Sequence, residues 1–413
     1  MSDISIEIFP ALEGDCFLVS MGSEHKVNIL IDGGYKETYY NHLKPRLKQM
    51  NQNGERIDLV IVTHIDADHI EGIIELLKEN GSSEEANVIQ IYEIWHNSYK
   101  HLQFFKDSKE ELDYREKTIL TSKIAQGYIG NKNTDEDHNQ NEDISAKDGS
   151  TLAALIYEGK YNWNTSFNEN SISIENKKKI NLNENVVIRL LGPNNNSLKK
   201  LNKYWLKELR KEKYDFKLTE DELFDDAFEF YMLNQKNIEC LNENEEISSR
   251  SSIDEIDCLL KQKNVLDRSP VNGSSITTVI EYKGKKLLFL ADSHPQLVDE
   301  QIQQLVDQIG YIPFFELIKV SHHGSRKNTS IELLDLIDSP NYVFSTNGKK
   351  HNHPNEETIA RIISREIPSN LEKRELIFNY FFKNELFCKE EIQQRYNYSI
   401  SLPNGELTKV LKI

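Results

Sequence analysis

Between Ile57 and Leu77 the apolar run Leu59-Val60-Ile61-Val62 passes directly into Thr63-His64-Ile65-Asp66-Ala67-Asp68-His69, and that stretch into Ile70, Ile73, Ile74 and Leu77. The first run reads as a buried strand. The spacing that follows reads as a helix with one face on a core. Two imidazoles and two carboxylates therefore share one strand-to-helix turn, where side chains can point out of the scaffold into a cleft. An Asp at such a place can also serve as an ordinary helix cap. Four ligand-type residues within residues 64–69 favour a metal site instead, and the nitrogen and oxygen donors suit Zn²⁺ or Mn²⁺ in a dinuclear centre.

With 413 residues the chain can bury a large core. Mean hydropathy is −0.60, and no apolar run reaches the length of a membrane span. The start, Met1 to Ile8, alternates like a first strand and lacks a signal-peptide pattern. Cys16, Cys240, Cys258 and Cys388 are scattered, which argues against a disulfide framework or a thiolate zinc site. The expected compartment is the reducing cytoplasm, with no membrane partner. A net charge of −17 argues against an all-over electrostatic grip on nucleic acid, so a polyanionic substrate must be held by local basic patches and by metal.

Strands are expected at Ile4 to Phe9, Cys16 to Met21 and Val27 to Ile31, the last ending in Asp32-Gly33-Gly34. A helix follows over His42 to Met50, limited by Pro45. Val88 to Trp95 reads as another strand, ending at His96. From about 100 to 180 the chain turns polar, and Asn131 to Asp143 is too poor in apolar residues to fold alone, so this region is expected to be a surface insertion. Val186 to Leu191 returns as a strand. A second insertion, about 195–268, opens with a basic helical stretch carrying Lys199, Lys200, Lys203, Lys207, Arg210, Lys211 and Lys213 and continues with Glu220, Asp221, Glu222, Asp225 and Asp226. It is either a solvated helix with a charge-paired neighbour or a basic lip for an anionic substrate.

The hairpin Ile276 to Leu290 ends in Ala291-Asp292-Ser293-His294, and a helix is expected from Gln296 to Ile309. The run Leu317-Ile318-Lys319-Val320 then ends in Ser321-His322-His323-Gly324-Ser325. Separate strands thus terminate in Asp32, in Asp292 and in His322-His323, alongside the 64–69 cluster. Tyr342 to Ser345 leads to His351-Asn352-His353-Pro354 and a helix near Glu356 to Ile363; residues 366–413 form a C-terminal extension with strand-like Asn397 to Leu402 and Glu406 to Ile413.

Gly14-Asp15, Asp32-Gly33-Gly34, the Thr63 to His69 motif, Asn272-Gly273-Ser274-Ser275, Leu290-Ala291-Asp292, Lys319 to Ser325 and His353-Pro354 occur in an order that resembles the metallo-β-lactamase fold superfamily. Within it the likeness is to the metallo-β-lactamase-like domain of the bacterial DNA-uptake competence protein. The resemblance covers residues 3–100 and 185–365. It implies one α/β domain over 1–413, an αββα four-layer sandwich with two charged insertions and a dinuclear site at one edge. On that mapping His64 and Asp66 belong to one metal, Asp68 and His69 to the other, Asp292 bridges, and His322 joins the second ion. Asp32 orients ligands, and which of His322 and His323 ligates stays open. Asp66 stands where the commoner pattern has His, as in the competence branch. No His occupies the third-motif position at 272–275, for which His96 is a candidate filler.

In such a hydrolase two ions lower the pKa of a shared water and neutralise the oxygen that gains charge. Asp68 or Asp292 could accept a proton; Ser325, Asn328 or His353 could hold a phosphate or protonate the leaving oxygen. Three functions compete: a phosphodiesterase or nuclease acting on DNA or nucleotides, a hydrolase of a small ester, lactone or amide, and a metal-stabilised subunit working with a partner protein.

Overall fold

The apolar runs pair into two mixed sheets in the computed structural model, which describes residues 3–23, 26–102, 151–210, 228–229, 252–263, 265–403 and 408–413. The first five strands are β1 (Ile4–Ile8), β2 (Phe17–Met21), β3 (Val27–Ile31), β4 (Leu59–Ile61) and β5 (Ile94–Trp95). They are followed by β6 (Lys179–Asn181), β7 (Val186–Gly192), β8 (Thr277–Tyr282), β9 (Lys285–Phe289), β10 (Leu317–Lys319), β11 (Asn341–Phe344), β12 (Arg374–Phe378), β13 (Tyr398–Ser401) and β14 (Lys409–Lys412). One sheet runs β14-β1-β2-β3-β4-β5 and the other β13-β12-β11-β10-β9-β8-β7-β6.

Because the strands are apolar on both faces, each sheet is covered on both sides. In β2 and β3, Phe17, Val19, Ile29 and Ile31 enter a middle layer against Ile188, Ile280, Phe289 and Val343 of the second sheet. Their neighbours Leu18 and Leu30 point the other way, onto Leu47, Ile70, Ile73 and Leu77 of the helices Lys44–Gln52 and Ala67–Asn80. On the far side, Leu288, Ile318 and Tyr342 pack with Val298, Ile302, Ile359 and Ile362 of the helices Pro295–Ile309 and Glu356–Ile363. The result is the expected helix–sheet–sheet–helix sandwich. No helix of the described residues is long and apolar enough to cross a membrane.

Several segments differ from expectation. Only Ile94–Trp95 of the run 88–95 forms a ladder, since the earlier residues make a single bridge, Ile57 to Ile91, and bury apolar side chains without pairing. The helix before β4 starts earlier than expected, at Lys36, passes through a π-helical turn, Tyr39–Leu43, and continues as Lys44–Gln52, with Pro45 directly after the π-helical turn. Residues 151–180 are not superficial. Leu152, Ala153, Ile156 and Trp163 join the core outside the first sheet, and Phe167, Ile172, Ile174 and Ile180 join the middle layer. The polar run 131–143 lies outside the described residues. The C-terminal extension is part of both sheets: β12 and β13 lengthen the second, and β14 pairs with β1.

Candidate metal centre

β3 and β4 run parallel, as do β9, β10 and β11, and the segments leaving their C-terminal ends meet at one edge of the sandwich. The backbone is bent to achieve this. Asp32, Ala291, His322 and His323 all sit at positive φ (56°, 47°, 45° and 55°), a left-handed conformation that non-glycine residues rarely adopt and that clusters at functional sites.

The turn is set by backbone contacts. Gly33 N donates to His69 O (2.8 Å), Gly72 N to Gly34 O (2.9 Å), Gly34 N to Asp15 O (2.8 Å) and Asp15 N to Asp68 O (3.1 Å). A Cβ at Gly14 would lie 1.9 Å from Asp68 O, and one at Gly72 would lie 2.0 Å from Gly33 O. These glycines let the two loops and the helix touch backbone to backbone.

Four imidazoles turn one nitrogen to the protein and the other to a common centre. His69 Nδ1 donates to Asp32 Oδ2 (2.8 Å), His323 Nδ1 to Ser345 O (2.8 Å) and His322 Nδ1 to Asn328 Oδ1 (2.9 Å). His64 Nδ1 lies 3.0 Å from Thr63 Oγ1, whose own proton goes to Asp32 Oδ2 (2.8 Å). The Nε2 atoms of His64, His69, His322 and His323 then stand 3.7, 3.7, 3.6 and 3.8 Å from the Asp292 carboxylate. Asp66 Oδ2 is 3.2 Å from His64 Nε2, while Asp68 Oδ2 is 3.7 Å from His69 Nε2 and 3.4 Å from His323 Nε2.

Both Asp292 oxygens and the Nε2 atoms of His64, His69 and His323 are buried without a hydrogen-bond partner. Such atoms are costly to bury unless something binds them. Two ligands each about 2.1 Å from a tetrahedral ion stand about 3.4 Å apart, so these separations fit a shared divalent ion. His64, His69 and Asp292 form one compact group of donors, and Asp68, His69 and His323 another. The ring beside Asp68 is thus His323, where the resemblance pointed to His322. His322 is the more exposed of the two and also faces Asp267, with Nδ1 3.9 Å from Oδ2.

Charge is concentrated here. Burial alone would push the Asp15 carboxyl up, but Lys319, His323 and His69 hold it down to about 2. Burial opposes protonation of His323, and Asp292 and Asp15 outweigh it, raising the imidazole to about 9. His69 is raised well above the ordinary range against the same burial, by Asp32, Asp292 and Asp68. His353 goes the other way, driven down by burial and then by His322 and His323. Its ring centroid is 5.2 Å from that of His322, so as a neutral imidazole it can hold an oxygen but is a poor cationic acid.

The remaining expected residues are elsewhere or otherwise engaged. His96 is buried with Nε2 2.9 Å from Glu229 Oε1 and its ring stacked on Trp163, so it does not complete the centre. Ser325 is buried and its hydroxyl accepts from Lys327 N (3.3 Å), which makes it a turn residue. Lys319, which closes the strand before His322-His323, is 1% exposed and bound to Asp15. Asp267 was not foreseen. It receives hydrogen bonds from Asn272 (2.7 Å) and Asn328 (2.9 Å), and so links the Asn272–Ser274 turn to the residue holding His322. Nothing in the polar sequence around it distinguishes that carboxylate.

Residues 10–145 match the model of the Metallo-beta-lactamase superfamily, a stretch that contains the His64–His69 turn but not Asp292 or His322-His323. None of the curated proteins matches. Among solved structures, a mutant CmlA β-hydroxylase shares 9% identity at a TM-score of 0.37, covering 100% of this chain and 54% of that one. A long form RNase Z from yeast shares 9% identity at a TM-score of 0.30, covering 91% and 36%. The chain spans about half of the first and about a third of the second, and likenesses this slight carry no argument about activity.

Proposed function

We propose that the chain is a metal-dependent hydrolase of phosphodiester bonds in nucleic acid or nucleotides. The observation that carries the metal part is the convergence of four Nε2 atoms on Asp292, each imidazole having its Nδ1 tied back to the protein. Asp68, His69 and His323 would hold one divalent ion, Zn²⁺ or Mn²⁺, and His64 and Asp66 the other. Asp292 would lie between them, with His322 at the outer side. Bound ions there supply Lewis acidity, activating water and offsetting charge on the attacked group.

The protein's own part is positioning. Asp32 and Thr63 fix the His64 and His69 rings, Asn328 fixes His322, and Asp68 Oδ2 is placed to receive a proton. His353 stands over His322 where a substrate oxygen would rest.

The phosphodiester part is supported by the resemblance to the competence domain and by the helix Asn195–Arg210. This helix buries Leu198, Leu201 and Trp205 and packs on the Asn272–Ser274 turn. It leaves Lys200, Lys203 and Lys207 exposed at a spacing that puts them on one face. The charge of Lys200 is felt at His294, two residues from Asp292. Lys211, Lys213 and the acidic run 220–226 lie outside the described residues. Elsewhere at this edge Arg326 is tied to Glu357 and Lys350 to Glu13.

The reading is tested with single- and double-stranded DNA, RNA, bis-p-nitrophenyl phosphate and a lactone and ester panel, each with and without Mn²⁺ or Zn²⁺. Metal-dependent cleavage of phosphodiesters and none of lactones is expected; the reverse pattern would refute it. Lys200, Lys203 and Lys207 replaced together by Gln should weaken DNA binding and flatten its dependence on log salt by about 0.9 per lost phosphate contact. Hydrolysis of bis-p-nitrophenyl phosphate should be unchanged, and an equal loss on both substrates would make the helix merely structural.

A further inference from the structure

Lys319 is the only lysine so fully buried among the described residues, and it lies beneath the centre at the end of β10. Its Nζ is bound to Asp15 Oδ2, donates to Ala291 O (3.2 Å) and stands 3.9 Å from Asp292 Oδ1. The other Asp15 oxygen is 3.5 Å from His323 Nδ1. The ammonium thus touches both the strained turn that presents Asp292 and the acid behind His323.

Charge balance gives this contact a purpose. Asp15, Asp32, Asp66, Asp68 and Asp292 are all at most 5% exposed. In so dry a place uncompensated charge is far more costly than in water. Lys319 offsets one of the five, and four negative charges remain, the charge of two divalent ions. Asp15, Asp32 and His69 also form a compact group of donors, and the ammonium lies on its Asp15 corner.

We propose that Lys319 is a positioning residue that acts as a fixed internal cation: it neutralises Asp15 and thereby limits how tightly the centre holds its second divalent ion. The inference rests on the dinuclear reading above. It makes the charges of Lys319 and Asp15 opposite controls on metal affinity, whereas a simple structural brace would weaken metal binding whichever partner is removed.

The test is the dissociation constant of the second Mn²⁺, by chelator competition, in the wild type, Lys319→Met, Asp15→Asn, the double variant and Lys319→Arg. Circular dichroism checks the fold of each. Asp15→Asn should weaken the second ion by tenfold or more, Lys319→Met should tighten it, and the double variant and Lys319→Arg should return to within about threefold of wild type. If Lys319→Met alone does not fold, the double variant compared with Asp15→Asn gives the same sign test. Weaker binding in both singles, with the double no better than either, would overturn the role of Lys319 while leaving the dinuclear centre intact. A wild type that binds no second ion would overturn both.

Discussion

Asp292→Ala is expected to lower hydrolysis by at least about 10²–10³-fold, the cost of removing one preorganised charge-stabilising group. The far-ultraviolet circular dichroism should not change. Its carboxylate lies within 4 Å of the Nε2 atoms of His64, His69, His322 and His323 alike, and neither of its oxygens has a hydrogen-bond partner. Removing it separates the two donor groups. It does not empty the core, because Asp292 is held by Asn328 through its backbone carbonyl (3.1 Å), a contact the substitution keeps. Steady-state rates at saturating Mn²⁺ decide the matter, and a variant within tenfold of wild type would remove Asp292 from the centre.

Gly72→Ala should destabilise the fold by about 3 kcal/mol, near the top of the usual range for overpacking. In an exposed helix interior the same change would stabilise by about 1 kcal/mol. Here the added methyl would meet Gly33 O at 2.0 Å, and a backbone carbonyl cannot rotate away as a side chain can. Relief requires the Ala67–Asn80 helix to lift off the Asp32-Gly33-Gly34 turn, and with it His69 would leave Asp32. Activity should therefore fall with stability. Urea unfolding at unchanged slope gives the energy directly; a midpoint equal to wild type would show that the close approach is not needed.

Much of this site was legible because it obeys local rules. The run Leu59 to Val62 had to be a buried strand and Ile70 to Leu77 a helix with one buried face, so the ligand-type residues between them had to lie on a turn. Asp292 and His322-His323 were visible for the same reason, each closing an apolar run. What the sequence did not disclose depends on contacts across the fold. Gly72 looks like a flaw in a helix until Gly33 is placed against it. Asp267 sits in a polar stretch with no periodicity, and its meeting with Asn272 and Asn328 is made by the chain's return. Lys319 reads as the one polar residue of a strand end, and only the arrival of Asp15 from the other sheet explains its burial. Residues 151–180 were hidden by their polar average, although Trp163, Phe167 and Ile172 were enough to anchor them.

Whether these side chains hold two divalent ions is decided by calorimetric titration of the metal-free chain with Mn²⁺ in buffers of different ionisation enthalpy. His69 and His323 are raised in the metal-free chain, His323 to about 9, by the carboxylates that face them. Their contribution to stability is therefore full below the unfolded value near 6.5 and is lost as pH rises through the raised values. Near pH 7 both carry protons that ions must displace. Two ions per chain, proton release on binding, and affinity that rises with pH toward about 9 are expected. Binding of no ion, or of ions with no proton release and no dependence on His69 and His323, would contradict the dinuclear reading.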